Sequence, residues 1–278
     1  MELIAQKFKK LEKILREMQG FVVAFSGGVD STFLTVLAHK VLKDQVLAVT
    51  ALSQTYPQAD LATVKKVIKD FGIRHHFVDT EELADENFLR NPPNRCYHCK
   101  KELFTKLKAI AAANNFTGVA DGTNFDDARD FRPGKIAALE EGVRSPLREA
   151  QLRKDEIRVL SHRLNLVTYD KTSSPCLASR FPYGVRITAE KISRVRKAEE
   201  FLKQLGFSQV RVRHHEMTAK IEVSPSEFGD LLLLSRAQAV VSKFKELGYN
   251  YVTLDLEGYR TGSLNEVLSA ADKKFGNT

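Results

Sequence analysis

Apolar and polar positions change period along the first half of the chain. "FVVAF" (21–25) is a short apolar run, and "STFLTVLAHKVL" (31–42) then places its apolar residues at helical spacing. "QVLAVTAL" (45–52) reads as a second strand and "QADLATVKKVIKDFG" (58–72) as a helix closed by a C-terminal glycine. "IRHHFVD" (73–79) predicts a third strand, "KKELFTKLKAIAAANN" (100–115) an amphipathic helix and "FTGVADG" (116–122) a fourth strand. Strands alternating with helices predict a parallel sheet covered on both faces, with a ligand site at the C-terminal ends of its strands.

After residue 180 the rhythm differs. "TAEKISRVRKAEEFLKQLG" (188–206) predicts a long helix, and "SQVRVRHHEMTAKIEV" (208–223) two strands meeting near Glu216–Met217. Residues 227–248 read as one helix and 249–259 as a last strand. The fold class expected is therefore α/β, a Rossmann-like parallel-sheet domain over 1–180, followed by a smaller α+β domain over 181–278. "RFPYG" supplies the Pro- and Gly-containing junction. Neither an internal repeat nor a low-complexity tract interrupts this pattern.

Composition narrows the class. The chain has 278 residues, 43% hydrophobic and 28% charged, as in an ordinary globular protein. No apolar stretch approaches the roughly 20 residues that cross a bilayer. "MELIAQKFKKLEKILREMQG" mixes charge with Leu and Ile at helical spacing, unlike a signal peptide, so a cytoplasmic protein without membrane contact is expected. The net charge of +8 admits an anionic partner such as a nucleotide, a phosphorylated small molecule or RNA, or simply a lysine-rich surface. Three cysteines are too few for a disulfide framework, which leaves metal binding or redox chemistry for the "RCYHC" pair.

The sharpest motif is "AFSGGVDST" (24–32), between the first strand and its helix. Gly27 and Gly28 permit a tight turn that points backbone N–H groups into one concavity, and the helix N-terminus adds its positive dipole. Ser26 and Ser31 add hydroxyls, and Asp30 is suited to a Mg²⁺ bridging phosphate oxygens. No P-loop lysine lies within the loop, so the cradle should hold pyrophosphate as a leaving group rather than assist γ-phosphate transfer. The stretch resembles the PP-loop ATP pyrophosphatases, which adenylate a carbonyl or carboxylate and include NAD and GMP synthetases and tRNA-thiolating enzymes. That resemblance implies that Ala51, Leu52 and Ser53 line the adenine and ribose of ATP. Gly122, in "DGTN", would allow close approach to the nucleotide. "NFDDARDFRPG" gathers Asp126, Asp127, Arg129, Asp130 and Arg132. One or two of these are candidates for substrate or Mg²⁺; the rest read as solvated surface.

Four readings compete for Cys96, Cys99 and Cys176. A dithiol redox pair lacks a strand leading to the pair at a helix start and leaves Cys176 unexplained. Structural zinc needs a fourth ligand, and His98 lies awkwardly inside the C-x-x-C. Inert core cysteines sit poorly beside Arg95, His98 and Lys100. Three thiolates of a 4Fe–4S cluster would leave one iron open for a labile sulfide, which suits a chain that activates with ATP and then thiolates.

"PCLASRFPYG" (175–184), "VRVRHH" (210–215) and "VTLDLEGYRTGSLN" (252–265) are similar to the LarE family, the pyridinium-3,5-biscarboxylic acid mononucleotide sulfurtransferases of nickel-pincer cofactor biosynthesis. The resemblance covers essentially the whole chain. It implies adenylation of a pyridinium carboxylate, release of pyrophosphate and delivery of sulfur, giving a thiocarboxylate that later binds nickel in lactate racemase and related enzymes. It also implies a homo-oligomer. Cys176 matches the family's sulfur-bearing cysteine, which in many members gives up its own sulfur. Cys96 and Cys99 depart from that pattern and resemble the three-cysteine members, in which a 4Fe–4S cluster carries sulfide; Cys176 would then be a ligand. By the same likeness Arg211 and Arg213, sharing one strand face, grip the substrate's phosphate with Ser179, Arg180 and Arg260, as guanidinium forks suit. The competing reading is that Arg211 and Arg213 merely coat an exposed sheet face. Glu199, Glu200 and Asp230 correspond to a metal site at a subunit contact, or to ordinary surface acids. His75, His76, His214 and His215 receive no role. A tRNA thiolase is the main rival, yet no zinc ribbon or basic aromatic stripe is visible, so no nucleic-acid partner is expected. A non-enzymatic ATP sensor and an ammonia-using ligase are the others.

Overall fold

The first strand, β1 (Phe21–Ala24), alternates its side chains between two cores, and this organises the first half of the molecule. In a computed structural model, Phe21, Val23 and Phe25 enter one buried cluster while Val22 enters another. The description covers residues 2–269 and Asp272, apart from Pro57, Asp130, Ser173 and Ser174. In order the elements are α1 (Glu2–Met18), β1 (Phe21–Ala24), α2 (Val29–Leu42), β2 (Val46–Leu52), α3 (Gln58–Phe71), β3 (His75–Asp79) and α4 (Glu86–Leu89). They continue with α5 (Arg95–Ala113), β4 (Val119–Ala120), α6 (Gly134–Glu140), α7 (Pro146–Glu149) and α8 (Lys154–Arg163). The remainder is α9 (Ala189–Gln204), β5 (Arg211–His215), β6 (Thr218–Glu222), α10 (Phe228–Leu232), α11 (Leu234–Glu246) and β7 (Tyr251–Leu254).

The chain divides into two compact units. One comprises Met1–Glu82 and Asn94–Ser174, the other Leu83–Pro93 and Pro175–Ser269. In the first, the sheet order is β3-β2-β1-β4, all parallel. Residues of α1, α2, α3 and α8 fill the cluster on one face, and those of α5 and α6 the cluster on the other. This is the doubly covered α/β layer that the alternating pattern predicts. β4 is only two residues long. The carboxylate of Asp121 ends it by accepting from Thr123 N and Thr123 Oγ1 and from Ser145 Oγ.

In the second unit β5 pairs antiparallel with β6, which pairs parallel with β7. Val212, Ala219 and Ile221 turn inward onto Ala198 and Leu202 of α9 and Val240 and Phe244 of α11. The turn at Glu216–Met217 falls where the alternation breaks, with Glu216 at φ 52°. The helix expected over 227–248 is instead two, separated at Leu233, whose ψ of 129° is extended. α5 starts five residues before the expected position at 100, so Cys96 and Cys99 lie within its first turns. Among the described residues, no helix is long and apolar enough to cross a membrane.

Candidate active site

The loop between β1 and α2 turns through Gly27 at φ 67°. A Cβ there would lie 2.9 Å from both the Asp60 carbonyl oxygen and Val64 Cγ2, so glycine is demanded by conformation and by space. Gly28 caps α2 without a side chain, which leaves Asp30 and Ser31 in the helix's first turn. Ser31 Oγ accepts from Ser26 N at 3.3 Å and lies 3.0 Å from Ser26 Oγ, closing the loop on itself. Gly122, at the exit from β4, would place a Cβ 2.9 Å from Ser31 N and 3.0 Å from Ser31 Cα. The close approach it permits is to the first turn of α2.

Two side chains that sequence reasoning missed hold the loop's carbonyls. Tyr56 Oη donates to the Ser26 carbonyl at 2.8 Å, and Lys171 Nζ to the Gly27 carbonyl and to Thr63 Oγ1, both at 3.0 Å. Lys171 also pairs with buried Asp60 at 2.7 Å. Both carbonyls are thus engaged by donors from outside the loop. The cation missing from the loop comes from α8: Lys154 Nζ lies 2.6 Å from Asp30 Oδ2, which also accepts from Asn124 Nδ2 at 3.3 Å. Asp30 Oδ1 is buried and has no hydrogen-bond partner among the described residues. Such an oxygen is costly to leave unmade and is placed to take a cation.

The acidic loop after β4 is structural in part. Asn124 Oδ1 accepts from the N–H groups of Asp126 and Asp127, and Asp126 Oδ2 accepts from Lys154 N. Burial raises Asp127, while Arg132 at 2.7 Å opposes the shift. Asp130 and the side chain of Arg129 lie outside the described residues. Ala51 and Leu52 end β2 and Ser53 follows it, all three half-buried, with Ser53 Oγ 2.9 Å from Thr55 Oγ1.

Cys96 and Cys99 are both half-buried and lie three residues apart on α5, hence on neighbouring positions of one helix face. Cys176, also half-buried, belongs to the second unit and caps the short turn Leu177–Arg180. Within either unit, no three His, Cys, Asp or Glu side chains among the described residues gather closely enough to hold a metal ion.

In the second unit Arg211 and Arg213 share one face of β5, each only 8% exposed. Arg213 binds Glu222 bidentately at 2.8 and 2.9 Å, Ser263 Oγ at 2.8 Å and the Ser179 carbonyl at 2.6 Å. Arg211 lies over the Tyr259 ring and donates to its hydroxyl at 3.2 Å. Burial, and then the charge of Arg180, pushes the Arg211 guanidinium below its ordinary value. The structure thus brings Ser179, Arg180, Arg211 and Arg213 together, while Arg260 turns onto Glu257 and Glu266. Glu199 is buried, Glu200 is exposed, and Asp230 pairs with Arg236.

Comparison with known proteins places this geometry. Residues 3–104 match the NAD synthase family. An uncharacterised Synechocystis protein is 43% identical over 267 residues, covering 96% of this chain and all of that one. A subunit of the glutamine-hydrolysing GMP synthase of Archaeoglobus fulgidus is 28% identical over 208 residues, 66% of this chain and 64% of its own. The pyridinium-3,5-bisthiocarboxylic acid mononucleotide synthase of Lactiplantibacillus plantarum is 37% identical over 272 residues, 98% of each chain. With that identity sustained from end to end, and a nucleotide loop of the PP-loop type, the chain belongs to the LarE family of pyridinium-3,5-bisthiocarboxylic acid mononucleotide synthases.

Proposed function

We propose that this protein uses ATP to convert a carboxylate of pyridinium-3,5-biscarboxylic acid mononucleotide into a thiocarboxylate. The observation that carries the reading is the buried, unpartnered oxygen of Asp30 at the head of a nucleotide loop in a chain of this family. Ser26 to Ser31 cradle the polyphosphate, and Asp30, paired with Lys154 across the loop, would hold a Mg²⁺ that neutralises the phosphate oxygens when bound. The substrate carboxylate attacks the α-phosphorus of ATP, the bond to the bridging oxygen breaks, and pyrophosphate leaves with both electrons. A sulfur nucleophile then attacks the acyl carbon, and AMP departs with the former carboxylate oxygen. Arg211 and Arg213 take the substrate's phosphate, an assignment supported by their shared face on β5, with Arg213 held in orientation by Glu222.

Cys96 and Cys99, adjacent on α5, fit two ligands of a 4Fe–4S cluster, with Cys176 as the third. When bound, such a cluster would supply sulfide-level sulfur for the transfer. The second reading, sacrifice of Cys176 itself, is favoured by its partly exposed place at the cap of a turn. Anaerobically purified protein is to be assayed for iron and sulfide, then for pyrophosphate and thiocarboxylate with ATP, Mg²⁺ and the pyridinium substrate. Thiocarboxylate with iron that is lost in Cys96→Ser supports the cluster. A Cys176 that loses the elements of hydrogen sulfide after one turnover supports sacrifice. Absence of any thiocarboxylate overturns the reading.

A further inference from the structure

Arg180 is engaged at every side-chain nitrogen, as Arg213 is, and it is the more deeply buried of the two, at 2% against 8% exposed. It forks onto Glu199, Nε to Oε1 at 2.7 Å and Nη2 to Oε2 at 2.9 Å. Its remaining nitrogen, Nη1, donates to the Pro175 carbonyl at 3.0 Å, the Cys176 carbonyl at 3.3 Å and Ser179 Oγ at 2.8 Å. A phosphate could reach this guanidinium only by stripping Glu199, itself 4% exposed, of its counter-charge. Glu199 has a second duty: Oε1 accepts from the backbone N–H of Val212, between Arg211 and Arg213.

The Cys176 carbonyl also accepts from Ser179 N at 3.1 Å and Ser179 Oγ at 2.9 Å, and the Ser179 carbonyl accepts from Arg213. One buried ion pair therefore ties the Cys176 turn to α9 and to β5. We propose that Arg180, with Glu199, is a positioning residue that fixes the Cys176 backbone at a set distance from the strand bearing Arg211 and Arg213, and that it is not a ligand of the substrate's phosphate. The inference rests on the proposed sulfur transfer for its consequence, since a substrate held by its phosphate on β5 would meet Cys176 at an invariant span. The strap itself does not depend on that chemistry.

The test uses the full-length protein with Arg180→Lys, which keeps the charge but loses the fork, and Glu199→Gln. The first readout is independent of turnover: the rate of iodoacetamide alkylation of Cys176, followed by peptide mass, against Cys96 as internal reference. Loosening the turn should raise the Cys176 rate about fivefold or more while Cys96 is unchanged. The second is the partition of the reaction. Thiocarboxylate formation should fall about a hundredfold, as expected for a misplacement near 1 Å, with pyrophosphate release and the substrate KM moving by less than about threefold. A KM that rises about tenfold at unchanged kcat makes Arg180 a phosphate ligand and overturns the proposal. Equal loss of both half-reactions, or an unchanged Cys176 rate in both variants, also overturns it. If Arg180→Lys does not fold, Glu199→Gln decides alone by the same readouts. Wild-type protein that yields no thiocarboxylate defeats the sulfur-transfer reading and leaves the alkylation result to judge the strap.

Discussion

Removing the ammonium of Lys171 gives a test of how the nucleotide loop is held. Lys171→Met keeps the aliphatic stem and deletes three contacts: 2.7 Å to Asp60, and 3.0 Å each to the Gly27 carbonyl and Thr63 Oγ1. The side chains are 21% and 8% exposed, so the pair is neither a surface salt bridge worth under about 1 kcal/mol nor a fully buried one worth about 3–5 kcal/mol to break. About 2 kcal/mol of coupling is expected between Lys171→Met and Asp60→Asn in a double-mutant cycle followed by urea unfolding of the first unit's transition. Loss of the anchor on Gly27 should also weaken binding of ATP about tenfold by calorimetry. A coupling below about 0.5 kcal/mol, or an unchanged ATP affinity, would refute the claim that this lysine sets the cradle.

Three further outcomes are expected. Asp30→Asn should leave the fold intact but cut pyrophosphate release about a hundredfold or more, read by coupled phosphate detection, because the neutral amide would hold a divalent cation far more weakly than the carboxylate. Gly122→Ala should lower the melting temperature, since its Cβ would press within 3.0 Å of the Ser31 backbone, at a cost of about 1–3 kcal/mol. His214 is 1% exposed, and burial followed by the charge of Lys191 lowers its pKa from 6.5 to about 4. The unfolded chain thus binds the proton first as pH falls from 6.5. Stability should decline between pH 6.5 and 4 by up to about 3 kcal/mol and level off below, and His214→Leu should flatten that slope in thermal melts.

Much of the fold was legible because the sheet of the first unit repeats one simple rule. β1 and β2 are apolar on both faces, and helices of period 3.6 follow them. The glycine loop was legible for the same reason: strand before, helix after. What could not be read lies in contacts between residues distant in sequence. Lys154 stands 124 positions from Asp30 and Lys171 is 144 from Gly27, with nothing local to mark either. The start of α5 was missed although Asn94, a residue type that favours the N-cap, stands there; its side chain makes no cap bond. That early start supplies the helix-start setting a redox pair needs, but no strand among the described residues leads into it. Arg211 and Arg213 were expected to share a face, and they do. Their burial under Tyr259 and Ser263 came from chain too remote to infer.

The orientation of the glycine loop is borrowed. Tyr56 and Lys171 belong to segments outside the nine residues from Ala24 to Thr32, yet they decide which way its peptide planes face. Grafting "AFSGGVDST" alone onto another strand–helix junction would transfer the bend without the two groups that hold its carbonyls, and so without the anion affinity proposed for it. A working transplant must carry a phenol and an ammonium at matching points, so a search for such cradles by short motif will find more turns than binding sites.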